Sequence, residues 1–269
     1  MKRVFIITQD EPFYIPKMLR YLIENSKDDF KIVGYTILKP HRKNKNILHW
    51  ILERTRIYSL VELVIVVWAI IIVKIFNLFG NRFSGRQIFQ QSSIKEITTS
   101  DINAKYYLES LLQLDIDIII SISCPQLFGV KLLEIAKLGC INAHGTLLPR
   151  HRGVFGSWWT LYCGDNEAGA TIHSMELRLD AGEIMWQKEF SVKNDDTQYS
   201  IAYKTKRIMA YGLADTIRNY EDKNKHPLRE KYQSSYHKAP TKELGSRFHK
   251  NGLRVIKLND LKKIFSEKY

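Results

Sequence analysis

Cysteine is scarce in this sequence, with three residues, Cys124, Cys140 and Cys163, among 269. An odd number of cysteines without a metal-ligand spacing excludes a disulfide framework and predicts no metal site. We interpret them as reduced thiols of a cytosolic protein. The N-terminal stretch MKRVFIITQDEP has only a short apolar run before Asp10 and Glu11, so it predicts a first strand and not a signal peptide.

Glycine-rich nucleotide motifs and internal repeats are also missing. No GxGxxG follows the first predicted strand and no GxxxxGK[ST] occurs, so the usual dinucleotide and P-loop signals are absent. With 45% hydrophobic and 26% charged residues, the composition excludes a disordered or collagen-like chain. The length is enough for one large or two small domains.

Positive charge exceeds negative charge by 13, but the excess is local. Residues 221–269 carry 13 Lys and Arg against 6 Asp and Glu, a net of +7. Residues 40–57 carry five Arg and Lys against Glu53, a net of +4, so the rest of the chain is close to neutral. We interpret the basic tail as a solvated face rather than a nucleic-acid site, since a local basic tail is more often solvated than bound to nucleic acid.

Apolar strands alternate with amphipathic helices over much of the chain. Strands are predicted at 3–8, 30–38, 115–123 and 140–144, and helices at 12–26, 103–114 and 129–139. This alternation predicts an α/β core with a mostly parallel sheet. After Gly164 the pattern predicts strands at 170–179 and 183–192, a helix at 197–219 and a strand at 253–258.

Residues 41–86 interrupt this rhythm and form a predicted helical insert. Residues 63–73 are eleven positions without a charge, and the window 60–79 includes Glu62 and Lys74. A membrane-spanning helix needs about 20 predominantly apolar residues, so the window is borderline. The residues leave open an interfacial membrane helix, an oligomer contact, a helix hairpin packed on the core, or a true membrane span. We expect 60–79 to be helical, to lie away from any cleft, and to present an apolar surface.

Polar side chains at the end of one predicted strand suggest a site. Asn142 and His144 lie two residues apart, on one face of the strand and at its carboxyl end, where ligands bind in α/β sheets. Asp180 precedes Ala181 and Gly182 in a predicted turn. A satisfied polar pair and a turn residue would also explain them. Together, however, they supply a proton carrier, a carboxylate to charge it and an amide donor for an oxyanion, which suits acyl transfer to an amine.

These residues lie in segments that resemble the folate-dependent formyltransferases, a family that includes methionyl-tRNA, glycinamide ribonucleotide and sugar N-formyltransferases. The resemblance rests on SCPQLFG (123–129), INAHGTLLPRHRG (141–153) and GDNEAGATIHSMELRLDAGEI (164–184). It implies a Rossmann-like formyltransferase core over 1–220, with the insert 41–86, followed by a basic C-terminal extension over 221–269.

The resemblance also implies roles for individual residues. Asn142, His144 and Asp180 match the catalytic residues, and the formyl donor would be 10-formyltetrahydrofolate. The segments expected to line the pterin pocket are Pro125, Gln126, Leu127 and Phe128, and Leu177, Arg178 and Leu179. Core packing remains an equal explanation for Leu127 and Phe128.

The acceptor is predicted by comparing variants of the family. Methionyl-tRNA formyltransferases continue into a tRNA-binding barrel for which too few residues follow 220, and glycinamide ribonucleotide enzymes are usually without a large insert. Sugar-nucleotide enzymes often carry a short C-terminal extension, so we predict transfer to the amine of a nucleotide-linked amino sugar. Candidate substrate contacts are Arg150 and Arg152 for phosphate and Trp158 for a base or sugar. Exposed loop positions for the two arginines, and a core role for Trp158 or its neighbour Trp159, remain open.

Alternatives are a short methionyl-tRNA formyltransferase, a formyltetrahydrofolate hydrolase, and a non-catalytic membrane-associated binding module. The complete Asn-His-Asp set argues against the binding module. The product would enter surface polysaccharide assembly, so we expect a cytoplasmic protein, peripheral to the membrane or self-associated through 60–79.

Overall fold

The structure is a computed structural model that describes residues 1–26, 29–39, 55–80, 83–221 and 231–265. The basic first part of the predicted insert, 41–54, lies outside the described residues. The predicted extension 221–269 is described over Glu221 and 231–265.

A six-stranded mixed sheet forms the centre of the fold. In the described residues the strands are β1 (Lys2–Gln9), β2 (Phe30–Leu38), β3 (Ile118–Ile122), β4 (Gly139–His144), β5 (Arg152–Gly153), β6 (Glu167–Ser174), β7 (Ile184–Ser191) and β8 (Tyr236–His237). The sheet order is β2-β1-β3-β4-β6-β7, and its first four strands are parallel. β6 and β7 join in antiparallel fashion, whereas β5 and β8 form a separate two-stranded parallel pair. The predicted mostly parallel α/β core is therefore confirmed.

Helices cover both faces of this sheet. They are α1 (Ile15–Glu24), α2 (Leu60–Gly80), α3 (Gly85–Gln91), α4 (Lys105–Leu112), α5 (Val130–Leu133), α6 (Gly156–Tyr162), α7 (Gln198–Arg218), α8 (Lys242–Lys250) and α9 (Leu261–Phe265). The central strands are buried on both sides, and alternate side chains enter different cores. Ile6 and Ile120 pack with α1 and α7, whereas Phe5 and Ile119 pack with α4 and α5.

Three predicted elements differ from the structure. The helix predicted over 129–139 is confined to α5, after which the chain turns and Gly139, at φ +105°, begins β4. β6 ends at Ser174 rather than at 179, so residues 175–180 form a loop. Residues 253–258 form no strand. Their backbone instead forms hydrogen bonds with the start of α7, where the Tyr199 amide donates to the carbonyl oxygen of Val255.

The helix predicted at 60–79 is confirmed as α2, and the described residues cover only one of its faces. Ile65 and Ala69 are buried against residues that include Ile256 and Ile264 of the C-terminal part. The opposite face leaves Val64 55% and Trp68 59% exposed. By length and composition alone, Leu60–Leu78 would suffice to cross a membrane, and about a third of it is buried in this fold.

Glu62 holds the start of α2 in place. Its side chain is buried and accepts hydrogen bonds from the Ser59 amide and hydroxyl and from the Val255 amide. A carboxylate is favoured in the first turn of a helix by the helix dipole and the free amides. Glu62 therefore couples the insert to the C-terminal part.

Candidate active site

The sheet register brings together the first two predicted catalytic residues and a histidine. Asn142 and His144 lie on β4, and Asn142 is paired across the strands with His173 of β6. Their side chains share one face, so the Asn142 amide nitrogen lies 3.1 Å from Nε2 of His173. The Nδ1 atom of His173 donates to the carbonyl oxygen of Ser174 at 2.7 Å. Nε2 of the neutral ring is then an acceptor, and the Asn142 amide uses one of its two hydrogens there.

Asp180 reaches this pair from the loop after β6. Its backbone is left-handed, at φ +50°, a conformation that aspartate tolerates better than most residues. Its Oδ1 lies 3.5 Å from Nδ1 of His144 and 3.7 Å from Nε2 of His173. Its Oδ2 accepts a hydrogen bond from the Gly153 amide at 2.8 Å. The three predicted catalytic residues are thus brought together.

Gly153 is required at this position by its neighbours. Its φ is +99°, and a Cβ atom there would lie 2.2 Å from the carbonyl oxygen of His237. The close pairing of β5 with β8 therefore needs glycine. Through the Gly153 amide, this small strand pair also fixes the carboxylate of Asp180.

The hydrogen bonds define the neutral form of His144. Nε2 lies 3.1 Å from the carbonyl oxygen of His151, which can only accept, so Nε2 carries the hydrogen. Nδ1 then carries the lone pair and faces Asp180. A proton taken up at Nδ1 creates an imidazolium beside a carboxylate, and the ion pair stabilises that charge.

Burial and neighbouring charges shift the pKa values of His144 and Asp180. Burial lowers the pKa of His144 below its ordinary 6.5, although the carboxylate of Asp180 opposes this shift. For Asp180, burial raises the pKa, but His173 and His144, which attract the carboxylate when they carry a proton on the facing nitrogen, and the Gly153 amide outweigh it and leave the pKa below its usual range. At neutral pH the site therefore holds a neutral histidine and an ionised aspartate.

Asn142, His144, His173 and Asp180 form the floor of a cleft of about 570 Å³. All seven residues predicted to bind the cofactor line this cleft: Pro125, Gln126, Leu127, Phe128, Leu177, Arg178 and Leu179. Leu127 is 69% and Leu177 68% exposed, whereas Phe128 is buried in the core. The alternative of core packing therefore applies to Phe128 and not to Leu127.

Gln126 fixes one wall of the cleft by hydrogen bonding. Its side-chain oxygen accepts from the Ile102 amide, and its side-chain nitrogen donates to the carbonyl oxygen of Ser100. The side chain thus ties this loop to residues 100–102.

The predicted substrate contacts do not line the cleft, and for Arg150 and Trp158 the structure corrects the sequence prediction. Arg150 bonds to Asp165 and to the carbonyl oxygen of Glu167, and it covers the ring of Tyr232. Trp158 is fully buried and stacks on Phe248. Arg152 lies in β5, where its amide donates to the carbonyl oxygen of Ser235. Arg150 and Trp158 have these partners because Tyr232 and Phe248 of the C-terminal part pack against them.

Lys206 is a residue of the cleft that the sequence prediction missed. It projects from α7, and its Nζ donates to the hydroxyl of Ser123 at 2.8 Å. Burial lowers its pKa to about 8, although Glu11 opposes the shift. Lys206 lies three positions before the buried Met209, on the same face of the helix. A lysine on the buried face of an amphipathic helix is unusual, and this could have marked Lys206 in the sequence.

Comparisons with known proteins agree with this geometry. Residues 84–217, about half of the chain, match the family model described as "Formyl transferase". A curated methionyl-tRNA formyltransferase of Borrelia garinii subsp. bavariensis is 35% identical over 125 residues, which is 46% of this chain and 40% of that protein. One from Caldanaerobacter subterraneus subsp. tengcongensis is 26% identical over 162 residues, 60% of this chain and 50% of that protein. The matches thus span half or less of these relatives.

Solved structures show the same fold at lower identity. A phosphoribosylglycinamide formyltransferase from Anaplasma phagocytophilum aligns with a TM-score of 0.60 at 16% identity, over 89% of this chain and 97% of that one. A sugar N-formyltransferase from Shewanella sp. FDAARGOS_354 aligns with a TM-score of 0.54 at 18% identity, over 99% of this chain and 89% of that one. With the matched domain and the converging Asn-His-Asp set, these findings establish that the chain belongs to the formyltransferase family.

Proposed function

We propose that this chain transfers a formyl group from 10-formyltetrahydrofolate to an amine. The observation that carries the proposal is the convergence of Asn142, His144 and Asp180 on the floor of one cleft. A proton acceptor, an ionised partner and a free amide hydrogen in one place are the components that acyl transfer to an amine requires.

The walls of the cleft suit a folate ring system. A flat heterocycle needs apolar cover on its faces and hydrogen-bonding groups at its edge, which is the usual composition of a small-molecule pocket. The exposed side chains of Leu127, Leu177 and Leu179 supply the cover, and the backbone amides of Gln126 and Leu127 would supply edge groups. When bound, 10-formyltetrahydrofolate provides an activated formyl group.

The residues of the floor would then act as follows. The second amide hydrogen of Asn142 donates to the formyl oxygen as negative charge develops there. His144, neutral at rest, would take at Nδ1 the proton that the attacking amine loses. It would return this proton to N10 of tetrahydrofolate, which leaves as the bond between N10 and the formyl carbon breaks. Asp180 holds the imidazolium charge, and His173 keeps the Asn142 amide in position.

For the acceptor, we propose the amine of a nucleotide-linked amino sugar. Support comes from the likeness over 99% of the chain to the Shewanella protein named a sugar N-formyltransferase, and over 88% to a protein named a 4-N formyltransferase from Francisella tularensis, at a TM-score of 0.55 and 20% identity. Lys206 and Arg178 line the cleft, and their two positive charges would attract the negative charges of a diphosphate. We further propose a cytoplasmic location, peripheral to the membrane, because such products serve polysaccharide assembly.

A second candidate acceptor is charged initiator tRNA, because the curated relatives described above are named methionyl-tRNA formyltransferases. Proteins that bind nucleic acid tightly neutralise many phosphates, and their affinity then falls steeply with salt. The salt dependence of binding therefore separates the two acceptors.

One assay decides among the acceptors. Purified protein is incubated with 10-formyltetrahydrofolate and a panel of nucleotide amino sugars, methionyl initiator tRNA, glycinamide ribonucleotide, or no amine, and the formylated product is identified by mass spectrometry. We expect a product only with an amino sugar. Release of formate without an amine would indicate a hydrolase. Formylated tRNA with salt-sensitive binding would show that the acceptor is tRNA and not an amino sugar.

A further inference from the structure

A second cluster of reactive side chains lies outside the cleft. His151, Cys163 and His237 each offer one ligand atom, and these atoms lie within 4.8 Å of one another. His151 follows the loop after β4, Cys163 ends helix α6, and His237 belongs to β8. The cluster therefore joins three separate parts of the chain.

Two nitrogens in this cluster lack a hydrogen-bond partner within the described residues. They are Nδ1 of His151 and Nε2 of His237, and both are inaccessible to solvent. His151 as a whole is only 4% exposed. A buried polar atom without a partner costs free energy, so two of them side by side call for a ligand.

Asp165 orients His151 as a metal ligand. The Nε2 atom of His151 lies 2.6 Å from Oδ2 of Asp165, and Arg150 bonds the other carboxylate oxygen at 3.2 Å. Because the carboxylate can only accept, Nε2 carries the hydrogen and Nδ1 of the neutral ring carries a lone pair. A carboxylate behind a histidine is the usual outer partner of a zinc-binding imidazole.

The second histidine is also held in place. The ring of His237 stacks on Trp159 at 4.1 Å between centroids, and the carbonyl oxygen of His237 accepts from the Val154 amide. Cys163 is exposed, so one side of the cluster faces solvent. The arrangement thus has two fixed imidazoles and one accessible thiol.

We propose that His151, Cys163 and His237 bind a zinc ion, with water as the fourth ligand. Two imidazoles and a thiolate are ligands that zinc accepts. In a tetrahedral site such ligand atoms lie about 3.3–3.6 Å apart, so the cluster needs to contract by at most about 1.5 Å. Binding replaces the Cys163 thiol hydrogen by zinc, and the proton passes to solvent.

The proposed zinc would tie the C-terminal part to the catalytic loop. The carbonyl oxygen of His151 accepts the hydrogen bond from Nε2 of His144, and Gly153, two residues later, holds Asp180. His237 lies directly opposite Gly153 in the β5–β8 pair. A metal at this point would therefore fix the backbone that supports both catalytic side chains, without contacting the substrate.

The test measures metal binding by the full chain, independently of formyl transfer. Protein is stripped with a chelator, incubated with zinc chloride and desalted, and its zinc content is measured. We expect one zinc per chain and a higher melting temperature with zinc. Cobalt chloride in place of zinc should give a thiolate-to-cobalt absorption band in the near ultraviolet.

Variants identify the ligands. Cys163→Ser should lose the cobalt band and His237→Gln should lose stoichiometric zinc, whereas Cys140→Ala and His249→Gln should keep both. Asp165→Asn should weaken zinc affinity by about 10–100-fold. A parent chain that retains no zinc and shows no cobalt band would overturn the proposal, as would unchanged binding by Cys163→Ser and His237→Gln. None of these outcomes depends on the acceptor or on activity.

Discussion

The cleft and the outer face of α2 both leave large apolar side chains exposed, but they differ in their polar groups. In the cleft, Leu127 and Leu177 stand around a floor where Asn142, His144 and Asp180 converge. On α2, the face that includes Trp68 lies outside the residues that line this cleft.

The difference separates two kinds of exposed apolar surface. Apolar walls around converging polar groups can hold a small molecule and act on it. An apolar helix face without such groups lowers its free energy only when a membrane or another protein surface covers it. The comparison therefore assigns chemistry to the cleft and contact to α2, and the following experiments test each assignment.

The largest effect is expected from the floor of the cleft. His144→Ala removes the proton acceptor and Asp180→Asn removes the charge that stabilises it, so each should lower turnover by about 10²–10⁴-fold. Turnover is measured with an amine acceptor, and circular dichroism checks the fold. His249→Ala, in α8 and outside the cleft, is the matched control. Near-native turnover by both site variants would refute the mechanism.

The wall of the cleft should affect binding more than turnover. Leu127→Asp places a carboxylate where a folate ring would be covered, and losing a leucine contact worth about 1.5–3 kcal/mol raises KM for 10-formyltetrahydrofolate by about 10–100-fold. Because Leu127 is exposed, the melting temperature should hardly change. Leu112→Asp, an exposed leucine at the end of α4, is the control, and an equal effect of both variants would count against the assigned folate pocket.

The pH dependence of turnover tests the protonation states. Because burial lowers the pKa of His144 below 6.5, the neutral base persists through neutral pH. Turnover should fall about tenfold per pH unit only below that lowered pKa. Asp180 raises the pKa of His144, so the residual turnover of Asp180→Asn should decline at a lower pH than that of the parent. A decline at higher pH in this variant would contradict the pairing.

The outer face of α2 should affect contact but not chemistry. Glutamate at Val64, Trp68 and Ile71 leaves the buried face of α2 unchanged, so turnover should stay within about twofold. Co-sedimentation with vesicles that contain anionic lipid should be lost, because the apolar face no longer enters the interface. If the parent neither sediments with vesicles nor self-associates, the expected contact through 60–79 is wrong. Deleting the helix would be a poorer test, since Ile256 and Ile264 pack on it.

Local pattern predicted much of the core, and the resemblance to the formyltransferases added the candidate catalytic residues. The strand at 30–38 and the helix near 197–219 follow from short-range periodicity, and Asn142 and His144 follow from strand-end position. The prediction failed where distant residues supply the partner. Arg150 and Trp158 looked available as loop and helix residues, but Tyr232 and Phe248, about 80–90 residues later, cover them.

The sequence by itself determined the α/β alternation, the apolar helix at 60–79 and the residue types for acyl transfer, because each is encoded by neighbours in the chain. The tertiary structure alone decided that His173 holds Asn142, that Lys206 enters the cleft, and that His151, Cys163 and His237 meet. These contacts join residues far apart in sequence. Their distances depend on sheet register and on how the C-terminal part packs, and no local periodicity encodes either.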